Sequence, residues 1–98
     1  MIARAPGAEI SVLNARPHEH LVIVEPHAFE VRLGPEQRME IVARGMPEGV
    51  TRTVPSRGAV SFAVIESEGL TSIYIEGDCD DFDVIEKGEI VISGSFSY

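Results

Sequence analysis

Tryptophan is absent from this 98-residue chain, and cysteine and lysine occur once each. Each scarcity excludes something. With only two tyrosines and four phenylalanines besides, the chain lacks the aromatic platforms on which bases and sugars stack. A lone cysteine cannot close an internal disulfide, in keeping with a reducing compartment. No apolar run approaches the roughly 20 residues that a membrane-spanning helix needs. The opening Met1-Ile2-Ala3-Arg4-Ala5-Pro6-Gly7 also lacks the apolar stretch of about 7 to 15 residues that marks a secretory signal. The expectation is a cytoplasmic protein that binds neither membrane nor nucleic acid. Seven arginines to one lysine, with abundant alanine and glycine, fit a GC-rich bacterial genome.

What the chain does have is an ordinary globular composition, 44% apolar and 24% charged, at a length near the mode for one compact domain. A single domain over residues 1–98 is predicted. Its net charge of -8 is unevenly placed. Residues 1–57 carry seven acids and seven arginines, so the whole excess falls on residues 58–98. The centre of that pole is Glu76-Gly77-Asp78-Cys79-Asp80-Asp81-Phe82-Asp83, with Lys87 the nearby base in the sequence. Such crowding costs stability through like-charge repulsion unless water, a cation or a basic group screens it.

The periodicity of the apolar residues is mostly two, which predicts strands nearly throughout. Residues 21–24, Leu-Val-Ile-Val, are apolar on both faces, as in a central strand covered on both sides, and Pro26 ends the run. From Ala28 to Leu33, Phe29, Val31 and Leu33 share one face. Arg38 to Arg44 is its expected hairpin partner, with Leu33 opposite Met39, Val31 opposite Ile41 and Arg32 opposite Glu40, a register that keeps the apolar faces together. Val50 to Val54 reads as a brief strand halted at Pro55. Ala59 to Ile65 and Leu70 to Ile75 form a hairpin around Glu66-Ser67-Glu68-Gly69. Phe82 to Ile85 and Ile90 to Ser93 form another around Glu86-Lys87-Gly88-Glu89, where Gly88 suits a positive φ. Alternation then continues, with Ile90, Ile92, Gly94, Phe96 and Tyr98 on one face. Seven or eight short strands and no helix predict an all-β fold, an antiparallel β-sandwich or small barrel.

Chemistry-bearing clusters are few. Asp78, Asp80 and Asp81 are spaced to converge on a hard cation, and Glu89 is twelfth counting from Asp78. The pattern departs from a helix-flanked calcium loop at Phe82, where an oxygen is needed, and at Asp83, where glycine makes the turn. A solvated, charge-guarded loop beside a strand edge is the favoured reading. Cys79 lies between two aspartates that disfavour its thiolate, so alternation predicts a small core residue rather than a nucleophile. His18-Glu19-His20 sets two histidines at i and i+2, with Glu25 five residues on. This resembles a fragment of the first metal motif of the cupin family, and the resemblance implies a small metal-dependent protein using His18 and His20. It covers about eight residues, and no histidine follows His27 to supply a second motif. Glu66 and Glu68 fall in a tight turn, where they are expected to face water rather than act as an acid–base pair. Nucleophile-elbow, phosphate-loop and metalloprotease motifs are absent from the sequence.

The sequence therefore predicts a non-enzymatic β module with no cofactor and no bound metal, which associates with another protein or with itself. The expected contact residues are Glu76, Asp78, Asp80, Asp81 and Asp83 on the acidic side and Arg52 and Arg57 on the basic side. Two alternatives stand beside it: an inhibitor or immunity-type protein whose carboxylates imitate nucleic-acid phosphates, and the cupin-like metal protein.

Overall fold

The computed structural model describes residues 4–47 and 55–96. Eight strands run in the order β1 (Ala8–Leu13), β2 (His20–Glu25), β3 (Phe29–Leu33), β4 (Arg38–Gly45), β5 (Ser61–Ser67), β6 (Leu70–Glu76), β7 (Cys79–Glu86) and β8 (Glu89–Ser95). They form two four-stranded sheets, β1-β4-β7-β8 and β3-β2-β6-β5. The fold is an all-β sandwich. Five of its strand pairs are antiparallel, and β2 with β6 is parallel. The strand proposed over Val50 to Val54 lies outside the described residues, as do Arg52 and Tyr98.

Alternation decides which side chains meet between the sheets. Val22, Val24, Val31, Leu33, Ile73 and Ile75 point inward from one sheet, and Met39, Ile41, Ala43, Phe82 and Val84 from the other. At one end Phe29, Phe82 and Phe96 gather round His27, whose Nε2–H donates to the Ser95 carbonyl at 2.9 Å and ties the β2–β3 turn to the opposite sheet. Gly94 makes room for this cluster, since a Cβ there would lie 2.5 Å from the Phe82 ring.

The predicted β3–β4 hairpin does not form. Strand β3 pairs with β2, Leu33 opposite His20 and Val31 opposite Val22, while β4 pairs with β1 and β7. Arg32 therefore lies opposite Leu21, not Glu40, and its guanidinium reaches Glu19 at 3.5 Å. A register chosen to keep apolar faces together is blind to this, because apolar faces meet whether two strands lie side by side in one sheet or face each other across two. Leu33 and Met39 are both fully buried, on opposite layers.

Asn14 holds the crossing. Its Nδ2 donates to the carbonyls of His18, Leu33 and Gly34 at 2.8, 2.9 and 3.1 Å, and its Oδ1 accepts from the Arg16 N–H at 3.1 Å. Its main chain adds the Asn14 N–H to the Gln37 carbonyl and the Glu36 N–H to its own carbonyl. One buried side chain thus fixes both the β1–β2 and the β3–β4 connections. Strand β1 and Asn14 have no counterpart among the sequence expectations.

Candidate functional site

Glu76 ends β6, Gly77 and Asp78 form the connection, and the rest of the acidic run, Cys79 to Asp83, opens β7 in the interior of the other sheet. Strand β7 sits between β4 and β8, so the expectation of a charge-guarded loop beside an edge is corrected. Its carboxylates are met by groups distant in sequence. Arg44 Nε bonds Asp81 Oδ1 at 2.5 Å, and Arg44 Nη1 bonds Asp83 Oδ2 at 3.0 Å. Ser93 donates to Asp83 at 2.7 Å, and Arg4 reaches Asp80 at 2.9 Å. Asp78 accepts from the Ser56 hydroxyl at 2.6 Å and from the Arg57 N–H at 2.9 Å. The Arg44 and Ser93 bonds hold the Asp83 carboxyl below its ordinary pKa, and the two aspartates raise that of Arg44. Glu76, at the end of β6, is exposed.

A bulge explains where Cys79 points. Arg44 pairs with Asp81 but Gly45 pairs with Cys79, so the Asp80 position is extra in β7 and the alternation reverses there. Cys79 is 1% exposed and faces the core with Phe82, although uninterrupted alternation would have put it with Asp81 and Asp83. Burial, then the charges of Asp81 and Asp80, pushes its thiol up to about 11. A second bulge, at Val91, turns Ile90 outward while Ile92, Gly94 and Phe96 stay on the inner side.

The histidines do not converge. His18 is exposed, whereas His20 is buried and its Nε2 bonds the Thr71 hydroxyl at 2.8 Å. Glu25 is in β2 with His20 but on the opposite face. Burial first, then the charge of Arg16, lowers the His20 pKa below its ordinary 6.5. No group of three or more His, Cys, Asp or Glu side chains is gathered for a metal among the described residues. A cleft of about 540 Å³ lies between the β3–β4 loop and the β7–β8 turn, with Arg38, Lys87, Glu40 and Glu86 among its walls. It brings both signs of charge together.

The two outer faces of the sandwich differ in chemistry, although Leu13 (43% exposed) and Ile90 (61%) also stand outward on the β1-β4-β7-β8 sheet. Across β1-β4-β7-β8 the outward positions include Glu9, Ser11, Arg38, Glu40, Arg44, Asp81, Asp83, Ser93 and Ser95, cross-linked by the bonds above and by Arg38 to the Ser11 hydroxyl at 3.0 Å. Across β3-β2-β6-β5 the register sets Leu21 beside Leu70, Ile23 in a row with Ser72 and Ile65, and Tyr74 beside Ala63. Ile65 is 57% exposed and Tyr74 38%. Glu30, Glu25, Glu76 and Glu68 stand round this apolar centre, with Arg32 and Arg57 the basic residues at its margin. Nothing among the described residues covers it. The doubly apolar Leu-Val-Ile-Val run thus has one face in the core and the other at this surface.

Compared with protein-family models, with curated proteins and with solved structures, the chain matches none. No helix among the described residues is long and apolar enough to cross a membrane.

Proposed function

We propose that the protein is a non-enzymatic, cytoplasmic β-sandwich module that binds a protein partner through the outer face of the β3-β2-β6-β5 sheet. The observation that carries this reading is the contrast between the two faces. Asp78, Asp80, Asp81 and Asp83 already have partners within the chain, so a ligand reaching for them must displace Arg44, Arg4 or Ser56. The apolar face needs no displacement. Burying it removes Leu21, Ile23, Ile65, Leu70 and Tyr74 from water, at roughly 25 cal/mol per Å² of apolar surface.

The rim selects the partner's chemistry. An apolar centre bordered by Glu25, Glu30, Glu68 and Glu76 fits a protein surface with an apolar centre and a lysine- or arginine-bearing margin, with the charges governing capture rate more than final affinity. Of the residues first expected to make contact, Glu76 remains in this surface, and Arg57 lies beside Tyr74 and Glu76 at its margin.

A photo-crosslinking amino acid placed at Ile23 or Leu70 tests this in cells. The expected outcome is a discrete crosslinked protein band that weakens as salt is raised before irradiation, with none from the same probe at Ser11 on the opposite face. Equal labelling from Ile23, Leu70 and Ser11, or none from any, would refute the reading.

A further inference from the structure

Three of the four sheet edges carry devices that discourage pairing with another chain. Strand β3 is five residues long and alternates Glu30 and Arg32 outward. Strand β1 carries Glu9 and is preceded by Pro6 and Gly7. Strand β8 is bent by its bulge at Val91. Strand β5 is less guarded, with Glu66, near its end, its one charged residue. It is seven residues long, pairs with β6 without a register shift, and carries no charge or proline from Ser61 to Ile65.

Both faces of β5 are apolar and wet. Val64, on the inward register beside fully buried Ile73, is 48% exposed, and Ile65 on the other face is 57% exposed. The inner side of the strand therefore overhangs the opposite sheet, and among the described residues nothing pairs with its outer edge.

We propose that a second copy of this chain pairs with that edge, β5 antiparallel to β5, to make one continuous eight-stranded sheet. The two ends of the strand carry opposite charges: Arg57 precedes it and Glu66 and Glu68 close it, all exposed. Antiparallel pairing about Ala63 brings each copy's Arg57 beside the other's Glu68, which falls opposite Gly58, whereas parallel pairing sets like against like. A two-fold axis at Ala63 keeps the faces matched, with Phe62 opposite Val64 of the second copy and Ser61 opposite Ile65 of the second copy. Each copy has one such edge, so the pairing is isologous and stops at two. It goes beyond the outer-face reading, since it uses the sheet's edge, and it doubles the width of the apolar platform.

Sedimentation velocity from low micromolar to about 500 μM, with circular dichroism to verify folding of every variant, tests the pairing. A discrete dimer is expected. V64K should raise its Kd at least about 100-fold, and R57E and E66K/E68K should each raise it about tenfold. Combining R57E with E66K/E68K should restore the Kd to within about threefold of the parent, and because none of these changes lies between Ser61 and Ile65 this set decides the matter even if V64K does not fold. A monomer throughout, an assembly larger than two, or a dimer indifferent to the charge swaps would overturn the proposal. Crosslinking at Ile23 reads the outer face independently of any of these results.

Discussion

Replacing Asn14 with alanine isolates the contribution of one buried amide to the whole topology. Three carbonyls surround Nδ2 and one N–H faces Oδ1, so the partners themselves decide the orientation of the side chain. Alanine leaves the Leu33 carbonyl buried without its donor, at about 1–3 kcal/mol, and removes further partly buried bonds worth about 0.5–1.5 kcal/mol each, some of which water replaces. The sum is about 3 kcal/mol, a large part of the roughly 5–15 kcal/mol that holds a domain folded. For a chain of this size that is a fall in Tm of about 12–24 °C. Aspartate is the sharper test. It matches asparagine in volume but points a second acceptor at the three carbonyls, so N14D should be at least as unstable as N14A at pH 7 and should recover some stability in acid, where a protonated carboxyl again donates. Urea unfolding followed by circular dichroism measures all three proteins. A loss below about 1 kcal/mol for N14A, or an N14D milder than N14A at pH 7, would refute the assignment of Asn14 as a hydrogen-bonding clasp.

Further outcomes follow from the same geometry. R44M should destabilise by about 1–2 kcal/mol at pH 7, discounted for the partial exposure of the pair, because it leaves Asp81 and Asp83 unscreened on one face. The Asp83 pKa is depressed, so its contribution is present above the ordinary carboxylate pKa and is lost as pH falls through the folded value; the gap between R44M and the parent should close in acid denaturation curves. His20 acts in the other pH range: its folded pKa lies below 6.5, so the unfolded chain binds the extra proton, and stability should fall as pH drops below about 6.5. A parent and an H20Q variant with the same pH slope between 7 and 5.5 would contradict this. Cys79, with its thiol at about 11, should resist a thiol reagent at pH 8 in the native protein and react once urea unfolds it. Gly94→Val should cost about 1–3 kcal/mol in chemical denaturation, because its side chain enters the space of the Phe82 ring.

Much of the fold was legible because period-two patterning is local. The hairpins β5–β6 and β7–β8 were readable from alternation and from Gly69 and Gly88, both at positive φ. Alternation of Ala8, Ile10 and Val12 against Glu9, Ser11 and Leu13 was also present for β1, and a scan beginning at the first strongly apolar run passes over it. What pattern alone leaves open is which sheet a strand joins. Inward residues of β3 and β4 look the same whether paired or facing, and the parallel contact of β2 with β6 leaves no mark in the intervening sequence. Bulges at Asp80 and Val91 reverse alternation without a glycine or proline to signal them.

The charge distribution carries the same lesson into function. Along the chain, five carboxylates in eight residues outweigh every other feature, and the arginines look remote. In space, Arg44 lies one strand away from Asp81 and Asp83, and Arg4 beside Asp80, because β4 is the antiparallel neighbour of β7. An acidic run placed on a central strand repels itself, and the guanidiniums offset that repulsion where β7 sits in the middle of its sheet. The surface then left unmatched is the quiet one. Leu21, Ile23, Leu70 and Ile65 satisfy ordinary strand patterning and attract no notice in a sequence, yet their outward side is where water is least welcome. Selection for folding alone is met by an inward apolar face, and a second one is a cost in solubility unless something covers it. That asymmetry, rather than the net charge of -8, places the interaction surface on the β3-β2-β6-β5 sheet in the function proposed here.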